Sequence, residues 1–151
     1  GYSIPDAPNT NPYMLFGIKG SAFLSPTFST GGYFLSSDKQ GQPSMTDKFR
    51  YSLAGVHATY HIASGKGDTY FGVRLGITKV NTNPGGVDAT FSPYHYGIAT
   101  GYDFHVLPYL NIGFEGSYLH AQPGKTTQNG TPVEMKSFNI MSFMISAQFM
   151  L

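Results

Sequence analysis

A chain of 151 residues without a break in composition is most simply one domain, 1–151. Only 11% of it is charged, against about 25% in an ordinary soluble domain, while 40% is hydrophobic and 15% aromatic, with no Trp. A net charge of +1 from scattered basic residues gives no footprint for nucleic acid, and the absence of cysteine excludes a disulfide framework or a thiolate centre. The 19 glycines and 10 prolines favour short strands joined by turns. No apolar run approaches the roughly 18 residues of a membrane helix, so any membrane span must be built from strands.

From the start of the chain, Gly1-Tyr-Ser-Ile-Pro5 reads as a mature N-terminus from which an export signal is expected to have been removed. Residues 1–11 are an N-terminal extension or an edge strand. Tyr13 to Leu24 then places Met14, Phe16, Ile18, Ala22 and Leu24 on one face, with Gly17, Lys19 and Ser21 on the other. A weaker segment spans Phe28 to Ser36. Phe49 to Ile62 sets Ala54, Val56, Ala58 and Tyr60 against Gly55, His57, Thr59 and His61. Thr69 to Val80 has the clearest alternation: Phe71, Val73, Leu75 and Ile77 oppose Gly72, Arg74, Gly76 and Thr78. Tyr94 to His105 sets Tyr96, Ile98, Tyr102 and Phe104 against Gly97, Ala99, Gly101, Asp103 and His105. In Tyr109 to His120, Leu110, Ile112, Phe114 and Tyr118 oppose Asn111, Gly113, Glu115 and Ser117. Phe138 to Leu151 sets Met141, Phe143, Ile145, Ala147, Phe149 and Leu151 against Ser142, Met144, Ser146 and Gln148.

The polar face of these strands is mostly tiny, and the sparse charges Lys19, Arg74, Asp103 and Glu115 all fall on it. A soluble sandwich or barrel would present large polar side chains outward. Small residues with a few charges that can pair suit a cramped interior instead. The bulky face would then look into lipid, through Phe71, Val73, Leu75, Ile77, Ile98, Ile112, Phe114, Phe143 and Ile145. Lys19, His57, Arg74, Asp103, Asn111, Glu115 and Gln148 would form an inner polar network, with Leu15, Phe23, Leu53 and Met144 adding an apolar portion.

Connections alternate short (64–68, 106–108) and long (81–93, 121–136), with Asn129-Gly130 reading as a turn tip. Lys125 and Lys136 are expected to solvate the last loop. That asymmetry belongs to transmembrane up-and-down β-barrels, whose long loops face outside; the C-terminus would then be periplasmic. Seven segments are read where single-chain bacterial barrels have even numbers from eight. The eighth strand is expected from Tyr2 to Asn11, or from two short strands within 25–48. Tyr13, Tyr60, Tyr94, Tyr102, Tyr109 and Tyr118 suit interfacial aromatic girdles.

Tyr51-Ser-Leu-Ala-Gly-Val-His-Ala-Thr-Tyr60, Tyr70-Phe-Gly-Val-Arg-Leu-Gly-Ile77, Tyr96-Gly-Ile-Ala-Thr-Gly-Tyr-Asp-Phe104 and Leu110-Asn-Ile-Gly-Phe-Glu-Gly-Ser-Tyr118 together resemble the small bacterial outer-membrane barrels of the OmpX, OmpW and OmpA-barrel group. The resemblance covers about residues 49–151. The ending Phe143-Met-Ile-Ser-Ala-Gln-Phe-Met-Leu151 resembles the C-terminal strand that such proteins present to the barrel-assembly machinery, with Leu151 where an aromatic is usual. It implies a monomer in the bacterial outer membrane, among its lipids and lipopolysaccharide, without cofactor, metal or nucleic acid.

Three roles follow as expectations. The first is a non-enzymatic barrel with a side-chain-filled lumen, structural or interacting through its loops. The second, implied by the likeness to the OmpW proteins, is a narrow conduit for small hydrophobic solutes. The third is a lipid A-modifying enzyme, which needs a Ser/His pair at the outer rim. Ser117 and His120, three residues apart on a strand, face opposite sides and fail that test. His57, His61, His105 and Asp103 are expected to form an inner polar cluster, without the spacing of a metal site.

Overall fold

The computed structural model describes residues 15–37, 40–41, 48–82, 89–108, 110–128 and 131–149. Within them the chain is all-β and antiparallel. Seven long strands follow one another around a single sheet: β1 (Leu15–Ser25), β2 (Phe28–Ser37), β4 (Lys48–Ser64), β5 (Gly67–Thr82), β7 (Tyr94–Leu107), β8 (Leu110–Ala121) and β11 (Phe138–Phe149). Two short pieces extend it, β3 (Gln40–Gly41) on β4 and β6 (Ala89–Phe91) on β5. A separate hairpin consists of β9 (Gly124–Gln128) and β10 (Thr131–Met135). The order is the up-and-down sequence that alternating short turns impose.

The seven long strands match the seven segments of period two to within two residues at each end. Within 25–48 the described residues form two strands, β2 and the two-residue β3, which pairs with β4 and adds no eighth strand to the sheet path. The alternative source of an eighth strand, Tyr2 to Asn11, lies outside the described residues. The sheet path ends at β1 and β11, which come within 8 Å of one another at their Cα atoms. No ladder joins them among the described residues, so the described architecture is a strongly curled sheet.

Local chemistry explains the turns. β4 and β5 pair in continuous register from Phe49 opposite Thr82 to Ser64 opposite Gly67, leaving Gly65 and Lys66 as a two-residue connection. Gly65 has φ +65°, the positive φ that the mirror-image turns of two-residue hairpins demand at their first central position. The β7–β8 connection absorbs a register irregularity between His105 and Leu107, just before Pro108, which has no N–H to give to a ladder.

The long loops contain more structure than their composition suggests. β6 lies within 81–93, and 121–136 holds the β9–β10 hairpin, paired from Gly124 opposite Met135 to Gln128 opposite Thr131. That last pair brackets Asn129-Gly130, the expected turn tip, which itself lies outside the described residues. Val133 of the hairpin is buried, and it joins a core of Tyr33, Leu35, Tyr51, Leu53, Val80, Phe91 and Leu119. These side chains occupy the long-loop half of the inner face. The hairpin is therefore pinned to the sheet by apolar burial rather than by a ladder.

Glycines make room for the large inner side chains. A Cβ at Gly101 would lie 2.5 Å from the ring and hydroxyl of Tyr70, and one at Gly113 would collide with the Asp103 carboxylate. Each glycine is the register neighbour of a bulky residue's strand, so the interior is filled large against small.

Candidate functional site

The faces separate as the alternation implies. Phe71, Val73, Leu75, Ile77, Ile98, Ile112, Phe114, Phe143 and Ile145 are all exposed on the outer face, with Phe143 at 83% and Ile145 at 73%. They are joined there by Ile18, Phe34, Val56, Ile62 and Met141. Tyr60, Tyr94 and Tyr118 are exposed among them, and Tyr102 is partly so. Tyr13 and Tyr109 lie outside the described residues.

Facing inward, Arg74 is 1% exposed, Asp103 1%, Asn111 1%, His57 4% and Glu115 4%. Lys19 joins them with a side chain 5% exposed. Gln148 stands opposite Asn111 in the β8–β11 ladder, its side chain outside the described residues. Of the apolar inner positions, Leu53 is fully buried and Met144 packs on the core. Phe23 is 36% exposed at the turn end, with its ring 4.8 Å from that of His61. The side chain of Leu15 is not among those described.

The centre of the interior is an ion cluster on Glu115. Arg74 Nη2 donates to its Oε1, and Lys19 Nζ donates to its Oε2 at 3.0 Å. The Tyr70 hydroxyl donates to the same Oε2 at 2.8 Å, and the Lys19 ammonium lies 4.6 Å above the Tyr70 ring. Arg74 stacks over the Tyr33 ring at 4.6 Å, and Tyr33 hydrogen-bonds His95 Nε2. His95 Nδ1 meets Thr78 Oγ1 at 2.9 Å. These partners come from β1, β2, β5, β7 and β8, strands that are not all neighbours in the sheet. Only tight curling brings them together.

Sequence reading placed four charges on one face, and three of them join. Asp103 stands apart, over Gly113, with Oδ1 lacking a partner. The expected cluster of His57, His61, His105 and Asp103 is likewise divided. His57 Nε2 meets Ser21 Oγ at 2.9 Å, and His61 Nε2 meets Ser29 Oγ at 2.9 Å. His105 sits at the turn-end rim, 3.4 Å from Asp68 Oδ2 and 2.9 Å from Asn111 Oδ1. No group of three or more His, Cys, Asp or Glu among the described residues has metal-binding geometry.

The two Ser–His contacts escaped sequence reading because each links different strands; no local spacing signals them. Both histidines leave Nδ1 without a partner and are buried, so neither pair has the orienting group or the access of a hydrolytic dyad. Ser117 faces inward to Ser142, whereas His120 meets Asn139 Oδ1 at 2.8 Å on the other side. Opposite faces keep that pair apart.

In the outer hairpin, Lys125 and Glu134 form an exposed ion pair at 2.8 Å. The hydrogen bond between them lowers the Glu134 carboxyl below its usual range and raises the Lys125 ammonium. Comparison with protein-family models, curated proteins and solved structures finds no match to this chain.

Proposed function

We propose that this chain is a small bacterial outer-membrane β-barrel whose lumen is filled by its own side chains, serving a structural or surface-interaction role through its outer loops. One observation carries the reading: the sheet is inverted, with buried Arg74, Lys19 and Glu115 inside and a wide apolar face outside. Water rewards the opposite arrangement, and lipid rewards this one. A membrane reading also requires closure, because an unpaired strand edge in hydrocarbon leaves backbone groups unsatisfied at several kcal/mol each. The approach of β1 to β11 supports that closure. The two strands run in the same direction, so direct closure between them would be a parallel pair.

The filled lumen is favoured over a conduit for apolar solutes because the interior changes character along its axis. Aliphatic Leu35, Leu53, Val80 and Leu119 fill the loop half, and the ion cluster crosses the middle. An apolar solute would meet that cluster. Planar-bilayer recording of the refolded chain tests the assignment: a filled lumen gives no steady conductance, whereas discrete, reproducible channels would replace it with the conduit reading. Failure to associate with lipid vesicles at all would remove the membrane reading itself.

A further inference from the structure

The turn-end mouth of the interior sets two carboxylates against each other. Asp68, near the start of β5, is directly opposite Asp103 of β7 in the ladder, on the face that carries buried Tyr70 and Arg74. Directly opposed side chains have Cβ atoms about 4.5–5.5 Å apart, and like charges at that spacing repel. Asp103 is 1% exposed, and its Oδ1 has no partner. The central cations are committed elsewhere, since Lys19 and Arg74 both bond Glu115.

His105 stands two residues beyond Asp103 on the same strand and reaches both flanking strands. Its Nδ1 lies 2.9 Å from Asn111 Oδ1, on its register partner in β8. Its Nε2 lies 3.4 Å from Oδ2 of Asp68, the diagonal neighbour in β5. The first contact fixes the chemistry of the second. An amide oxygen only accepts, so Nδ1 carries a hydrogen and donates it. A neutral ring would then aim the bare lone pair of Nε2 at a carboxylate oxygen, with nothing between two acceptors. One proton between them removes that conflict, and imidazole, the stronger base, carries it on Nε2. The charged ring then bridges β5, β7 and β8 just where the β7–β8 register becomes irregular, between His105 and Leu107. The His105 N–H also donates to Lys66 O at 3.0 Å, across to the β4–β5 turn.

We propose that this rim is a pH-operated latch: one proton held by His105 against Asp68 ties the β4–β5 and β7–β8 turns together beside the buried Asp103, and its loss releases them. The other groups around the latch among the described residues do not substitute for it. His61 of β4, diagonal to Asp68, has its Nε2 on Ser29, and Lys66 is exposed in the turn. Asp103, on the strand of His105 itself, adds only negative charge. Asn111 of β8 and Gln148, opposite it on β11, are neutral. The link is complete while the proton is bound and is lost as pH rises through the imidazole window, about pH 5–8. The latch rests on contacts of the inner rim and is independent of what surrounds the outer face.

The test follows the refolded full chain by NMR from about pH 5 to about pH 8. It reads the two ring nitrogens of His105 and hydrogen exchange at the His105 amide, corrected for the intrinsic pH dependence of exchange. Both nitrogens should carry protons at the acid end, with Nδ1 alone protonated at the alkaline end. Amide protection should be about threefold greater at the acid end, the scale of a partly exposed ion pair. Asp68→Asn removes the carboxylate and His105→Gln removes the titration, so either variant should make protection independent of pH. Equal protection at both ends in the parent chain, or a ring neutral throughout, would overturn the inference. A threefold difference that persists in whichever of the two variants folds would also overturn it, by assigning the response to another group.

Discussion

Val73 and Arg74 are consecutive residues of β5, yet one is 54% exposed and the other 1%. The hydrocarbon side chain points out and the guanidinium points in, the reverse of what a water-soluble sheet selects. The same reversal recurs at Phe114 and Glu115, exposed and buried in turn. Because it is repeated on separate strands, the inversion is a property of the whole sheet rather than an accident of one side chain. The inner face accommodates charge by pairing it on Glu115, and the outer face leaves its apolar groups largely exposed.

The comparison breaks most sharply at Arg74. Arg74→Ala leaves Glu115 with Lys19 alone in a buried setting and should lower the unfolding free energy by about 3–5 kcal/mol. Denaturant unfolding of the refolded variant checks this. On the other face, Val73→Arg should block assembly or lose about 2–4 kcal/mol in bilayers, as a charge near mid-membrane. The same substitution on a face exposed to water would leave the midpoint almost unchanged.

Gly101→Ala probes the packing of the inner face. Its new Cβ would press on Tyr70, so a loss of about 1–3 kcal/mol is expected, read from the same unfolding curves. The smallest effect belongs to the hairpin. Glu134 is held below its unfolded range, so its pairing contributes above that range and is lost as pH falls through the folded value. Both groups are fully exposed and screened, so Lys125→Ala should track the parent chain through acid within experimental error.

Much of this architecture is legible in the residues. Period two located all seven long strands, because a face of Gly, Thr and Ser opposite Phe, Val and Ile leaves little choice of orientation. The same parity placed Lys19, Arg74, Asp103 and Glu115 on one side. Their partnerships were not legible. Lys19 and Glu115 are 96 positions apart, and their meeting depends on how far the sheet curls, which alternation does not encode. Asp103 is separated from the cations for the same reason. The β9–β10 hairpin was hidden because Lys125-Thr-Thr-Gln128 carries no apolar alternation; its anchor is the buried side chain of Val133.

The central claim is that the apolar face is the outer one and meets lipid. With no native cysteine in the chain, single cysteines at Val73, Arg74, Leu75 and Gly76 can each carry a fluorescent probe in bilayers containing lipid-borne quenchers. The account predicts strong quenching at 73 and 75 and shielding at 74 and 76. Water-accessible probes at 73 and 75, on a chain that stays soluble without detergent, would contradict it.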